Sequence, residues 1–84
     1  MTDQLFLRKE VLRMCAGMGS TGMKFDTLLT ELRREIFHEL TDDELREQLH
    51  YLGAEHFISV KRAVLDPSAL RYVVTPEGEE AISQ

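Results

Sequence analysis

The 84-residue chain has one cysteine, Cys15, so it has no partner for an internal disulfide. One thiol cannot by itself hold a thiolate zinc site, so the fold rests on its apolar core alone. Long apolar runs are missing too. The longest, such as Leu5-Phe6-Leu7, are three residues, against the roughly 20 that a membrane-spanning helix needs. No apolar segment with a small-residue cleavage site opens the chain, and a cytoplasmic location is expected rather than export. There is no internal repeat, linker or low-complexity tract, and residues 1–84 read as a single domain. A composition of 43% hydrophobic and 30% charged residues excludes disorder.

An excess of basic charge is likewise absent. The net charge is −5, and its distribution says more than its sum. Residues 1–40 balance six bases (Arg8, Lys9, Arg13, Lys24, Arg33, Arg34) against six acids. Residues 41–57 carry Asp42, Asp43, Glu44, Glu47 and Glu55 against Arg46 alone, a net −4. The remainder sets Lys61, Arg62 and Arg71 against four acids. Such a chain is repelled by nucleic acid at long range, so any binding must come from a local basic patch.

What the chain does have is regular periodicity. From Gln4 to Met18, Leu7, Val11, Met14, Cys15 and Met18 recur at helical spacing, and Leu5, Leu12 and Ala16 widen the stripe. Phe6 lies opposite, among Lys9, Glu10 and Arg13; it is an exposed contact residue, or the helix begins after it. The glycines of Gly17-Met-Gly19-Ser-Thr-Gly22 end this helix. Met23 and Phe25 alternate around Lys24 as a very short strand. Asp26 then reads as the N-cap of a second helix with Leu28, Leu29, Leu32, Ile36 and Leu40 on one face. Its outer face carries Thr27, Thr30, Glu31, Arg34 and His38.

Thr41-Asp-Asp-Glu44 is a capping box, and Asp42 and Asp43 suit the positive end of the helix it opens. Leu45, Leu49 and Leu52 face inward, and this third helix ends between Gly53 and His56. After Phe57 the period falls to two. Ile58, Val60 and Val64 alternate with Ser59 and Lys61 in one strand, and Asp66-Pro67-Ser68 is a turn. Leu70, Tyr72 and Val74 alternate with Arg71 and Val73 in the next. Thr75-Pro76 reads as an N-cap with proline at the first helical position, opening a short helix to about Ile82.

This order resembles the winged helix-turn-helix superfamily, especially small bacterial and phage regulators of the MarR-like and PadR-like kind. Three stretches carry the likeness: Asp26 to Leu40 with the capped Thr41 helix behind it; Leu45-x3-Leu49-x2-Leu52-x3-His56-Phe57-Ile58; and Val74-Thr75-Pro76-Glu77-Gly78-x3-Ile82. Together they cover about residues 5–82. His56 stands where the family usually places a glycine in left-handed backbone, a conformation histidine tolerates better than most residues. The resemblance implies an α+β winged helix. Its parts would be a three-helix helix-turn-helix core, a two- to three-stranded β wing and a short C-terminal helix, a fold often classed as all-α.

In that superfamily the third helix enters the major groove and the wing grips the backbone. Carried onto this chain, the outward positions of the third helix are Asp43, Arg46, Glu47, His50 and Tyr51. Arg46 would read guanine and Glu47 would accept from cytosine N4. Lys61, Arg62 and Arg71 would hold phosphates, with Arg33 and Arg34 as a further basic surface; the bland reading of these five is solvated faces. The carboxylates of the third helix oppose entry into the groove, and they serve equally as caps.

Two functions follow as expectations. One is a transcriptional regulator that binds double-stranded DNA as a homodimer. The other is a protein–protein interaction module that docks its acidic third helix on a basic partner. Phe6, Phe37 and Tyr51, at the edges of their helices' stripes, are the candidate partner surface, set against ordinary edge-of-core packing. Gly17-x-Gly19-x-x-Gly22 spells a dinucleotide fingerprint but follows a helix and lacks the βαβ unit that motif needs. His38, His50, His56 and Cys15 show no zinc-ligand spacing. No nucleophile with its base stands out, so no cofactor, no metal and no enzymatic activity are expected.

Overall fold

The computed structural model describes residues 3–62, 65 and 70–83. They form four helices and a three-stranded antiparallel sheet: α1 (Gln4–Gly17), β1 (Met23–Lys24), α2 (Phe25–Glu35), α3 (Asp42–Ala54), β2 (Ile58–Arg62), β3 (Leu70–Val74) and α4 (Pro76–Ile82). β3 is central, with β1 and β2 at its edges. Val64 and the Asp66-Pro67-Ser68 turn lie outside the described residues.

α1 starts at Asp3, whose carboxylate accepts from the Phe6 amide at 3.2 Å, so Phe6 lies within the helix. Its inner face buries Leu7, Val11, Leu12 and Cys15. The buried arc is narrower than the periodicity predicts, since Leu5 and Met18 are exposed at the helix ends. It also includes Glu10, which belongs to the predicted outer side. Glu10 is buried and ion-pairs with the exposed Arg13 one turn on. A short 3-10 turn, Gly19–Thr21, leads to Gly22 at φ 73°. A Cβ at Gly22 would lie 2.7 Å from the Tyr72 carbonyl oxygen. Only glycine lets this loop pass so close to β3.

α2 begins two residues earlier than predicted. Phe25 is helical rather than extended, Lys24 occupies the cap position without a side-chain bond, and Asp26 falls in the first turn. The helix buries Leu28, Leu29 and Leu32 and stops at Glu35, which leaves Ile36 exposed. Leu40 is buried, but from the connection to α3 rather than from the helix. The capping box forms as read: the Glu44 amide donates to Thr41 Oγ1 at 3.2 Å, and the Thr41 amide to Glu44 Oε1 at 3.1 Å.

The exit from α3 is a Schellman turn. The Phe57 amide donates to the Leu52 carbonyl at 2.9 Å and the His56 amide to the Gly53 carbonyl at 3.1 Å, with His56 at φ 66°. α4 is locked onto that turn. Thr75 donates through its hydroxyl to the His56 carbonyl at 2.6 Å and through its amide to the Phe57 carbonyl at 3.0 Å. The Gly78 amide donates to Thr75 Oγ1 at 3.1 Å. A Cβ on Gly78 would stand 2.2 Å from the Phe57 carbonyl oxygen. The spacing Thr75-x-x-Gly78 thus has a steric cause: a cap at one position and close backbone approach at the other.

One core unites these elements. Residues from α1, β1, α2, α3 and the sheet meet in it, with Phe25, Phe37, Phe57, Tyr72 and Ile82 packed at its margin. Among the described residues no helix is long and apolar enough to cross a membrane.

Candidate nucleic-acid interface

The outward positions of α3 are as expected: Asp43, Arg46, Glu47, His50 and Tyr51 are all exposed. Arg46 and His50 lie on the side that faces the sheet. They line an open cleft of about 360 Å³ with Leu49, Gly53, Ala54, Val60 and Tyr72. The Arg46 guanidinium rests over the Phe25 ring, 4.9 Å from its centroid. Tyr51 turns the other way, towards α1, where Arg8 stacks on its ring at 3.8 Å. Arg8 Nε also donates to Gln48 Oε1 at 2.6 Å, which satisfies a buried amide of α3.

Sheet register decides where Lys61, Arg62 and Arg71 point. Residues directly opposite each other in an antiparallel pair share a face, and neighbours along a strand alternate. Val60 pairs with Tyr72 and Tyr72 with Met23, on the side that meets the core. Arg62 pairs with Leu70 on that same side, two residues beyond Val60. Lys61 pairs with Arg71 and Arg71 with Lys24, on the outer side. The pleat therefore separates Arg62 from Lys61 and Arg71. It also adds to that outer pair a cation that was not among the expected phosphate contacts, Lys24.

Beside this outer row lies a depression of about 290 Å³, lined by Met18, Gly22, Met23, Lys24, Thr27 and Arg71. Lys24 was legible as part of a short strand; its juxtaposition with Arg71 was not, because it depends on which strand β1 pairs with.

The two arginines of α2 have other occupations. Arg33 Nε donates to the Leu40 carbonyl at 2.7 Å, and its guanidinium lies 3.5 Å from the Asp42 carboxylate. Arg33 thereby ties the end of α2 to the start of α3. Arg34 ion-pairs with Glu31 on its own helix. His38 Nδ1 donates to the Arg33 carbonyl at 2.8 Å and closes the same corner. Lys24, Lys61, Arg62 and Arg71 take part in none of the ion pairs among the described residues.

Phe6 and Phe37 meet each other, with ring centroids 5.5 Å apart and planes inclined by 55°. Phe37 is half-buried against the core, Phe6 is 39% exposed, and neighbouring Ile36 is 44% exposed. Cys15 is fully buried, and burial pushes its thiol up from 9.0 to about 11. No group of three His, Cys, Asp or Glu side chains among the described residues is placed to hold a metal ion. Comparison of the chain with family models, curated proteins and solved structures finds no match.

Proposed function

We propose that the chain is a winged-helix protein of regulator type that binds double-stranded DNA as a homodimer. On this reading α2 and α3 are the paired helices, and the β2–β3 hairpin is the wing. The observation that carries it is the joint between α3 and the hairpin. A capped helix passes through a Schellman turn directly into a strand, and α4 clamps that turn from behind. This fixes Arg46 and His50 on the helix opposite the hairpin face that bears Val60 and Arg62. Arg46 and His50 thus border the cleft across from Val60, with Arg62 two residues further along the same strand face, an arrangement suited to a helix in a groove with a strand beside it. The Phe6–Phe37 pair, with Ile36 next to it, is the apolar contact offered to a second copy.

The test is a salt titration of binding to duplex DNA of random sequence. Affinity is expected to fall steeply with salt, and R46A and R62A each to lower the slope of log K against log salt by about 0.9. Absence of binding even at low ionic strength retires this reading.

A second reading has its own support. Asp43 and Glu47 are exposed on α3, and Arg33 and Arg34, the nearest bases of α2, are engaged with Asp42 and Glu31. An acidic face of this kind suits a basic protein surface better than a phosphate backbone. The titration separates the two, since this module binds no DNA at any salt.

A further inference from the structure

We infer that the open edge of β2 takes up an extended acidic segment of a partner protein, which pairs with it as an added strand. The inference stands apart from the DNA reading, because no duplex enters its argument or its test.

The first argument is where the backbone groups point. The Thr75 amide donates to the Phe57 carbonyl, and Ile58 pairs with Val74. In an antiparallel ladder, residues that exchange bonds with the neighbouring strand alternate with residues that do not. Ser59 and Lys61 therefore bond to β3, and Val60 and Arg62 turn their N–H and C=O groups outward. Among the described residues, no hydrogen bond outside the sheet reaches these outward groups. The opposite edge, β1, has only two residues, so β2 is the edge long enough to hold a guest.

The second argument is the surface beside that edge. Val60 is 52% exposed in mid-strand, on the face that borders α3. The α3 wall of the cleft includes the small residues Gly53 and Ala54, and a Cβ on Gly53 would meet nothing within 4 Å. A residue directly opposite Val60 on an added strand shares its face. Its side chain thus enters the cleft and packs on Val60 and Tyr72.

The third argument is charge. Lys61 and Arg62 follow Val60, Arg46 and His50 stand on the α3 side of the cleft, and among the described residues no carboxylate lines it. Charged edge residues deter pairing between copies, and a second copy would bring the same cations to the joint. An acidic strand meets them with opposite charge. Antiparallel pairing, the more stable arrangement, sets successive guest residues against Arg62, Lys61 and Val60. The fitting pattern is therefore acidic, acidic, apolar from the N-terminal side. In this chain it falls at Asp43-Glu44-Leu45 and Glu79-Glu80-Ala81, both helical, so the guest is another protein.

The experiment titrates the isotope-labelled full chain with the capped peptide Gly-Ser-Glu-Glu-Val-Thr-Ser-Gly. Controls are a scrambled peptide of the same composition, one with lysines in place of the glutamates, and one N-methylated at its valine. Saturating peptide is expected to slow hydrogen exchange at the Val60 and Arg62 amides about tenfold. The Ser59 and Lys61 amides, already in the ladder, are expected to stay unchanged. N-methylation removes the donor to the Val60 carbonyl and is expected to weaken binding about tenfold, with the protein's fold untouched. K61Q and R62Q are each expected to weaken it about threefold.

Equal binding of the scrambled, lysine or N-methylated peptide overturns the inference. So does protection that spreads evenly along β2 or is absent from it. Protection of Val60 and Arg62 that grows with protein concentration and needs no peptide assigns the edge to a second copy, and overturns it too.

Discussion

His56 holds the backbone at φ 66° with a full side chain, where glycine would carry no steric penalty. H56G is therefore expected to stabilise the fold by about 0.5–1 kcal/mol, less than the whole left-handed penalty because glycine also frees the unfolded chain. Chemical denaturation measures it directly. A gain of 1 kcal/mol corresponds to roughly 4–8 °C in melting temperature for a domain this size. A loss of stability would mean that the imidazole makes a contact worth more than the strain.

Cys15 is the other residue whose surroundings set its chemistry. Its folded thiol titrates near 11 against 9.0, because burial disfavours the thiolate. Between those values the unfolded chain gives up the proton and the folded chain keeps it. The contribution is thus fully present below pH 9 and lost as pH rises towards 11, at about 1.4 kcal/mol per unit. C15A is expected to show a shallower alkaline decline than the parent in urea titrations. At neutral pH the native thiol should resist alkylation and react only once the chain unfolds; rapid native labelling would contradict the burial.

Among the elements, the corner between α2 and α3 is held by one side chain that charge alone would send to DNA. Arg33 is bound to the Leu40 carbonyl and to Asp42. R33A is expected to lower stability by about 1 kcal/mol, a charged hydrogen bond discounted for its exposure, and to leave the salt slope of DNA binding unchanged. A slope reduced by about 0.9 would assign Arg33 to the phosphates instead.

The same elements show what was legible in the chain. The Thr41 box, the Thr75 cap and the left-handed His56 are local devices, written within four residues, and they form as read. Errors arose where a neighbour far along the chain decides. Asp26 is a strong capping residue, yet the helix starts before it, because β1 pairs with β3 and ends at Lys24. Glu10 looks like a surface residue by type, but it lies on the buried side of α1 with Arg13 as its partner. The outer row of cations needs the pairing of three strands, two of them about 47 residues apart in sequence, and no periodicity carries that information.

At the scale of the molecule, charge is sorted by face. α3 presents Asp43 and Glu47 between Arg46, His50 and Tyr51, whereas the outer sheet presents Lys24, Arg71 and Lys61. A net −4 over residues 41–57 keeps long-range attraction weak, so on the DNA reading proposed above binding is expected to be short-ranged and steeply dependent on salt. On the proposed DNA reading, that division predicts that α3 alone is a poor anchor and that the hairpin contributes.

The most direct test of the DNA reading is an NMR titration of the labelled protein with a random duplex at low salt. Amide shifts are expected at Arg46, His50 and Gly53 on α3 together with Lys61, Arg62 and Arg71 on the hairpin. Shifts confined to the Phe6–Phe37 side of the molecule, or none at saturating duplex, would contradict it.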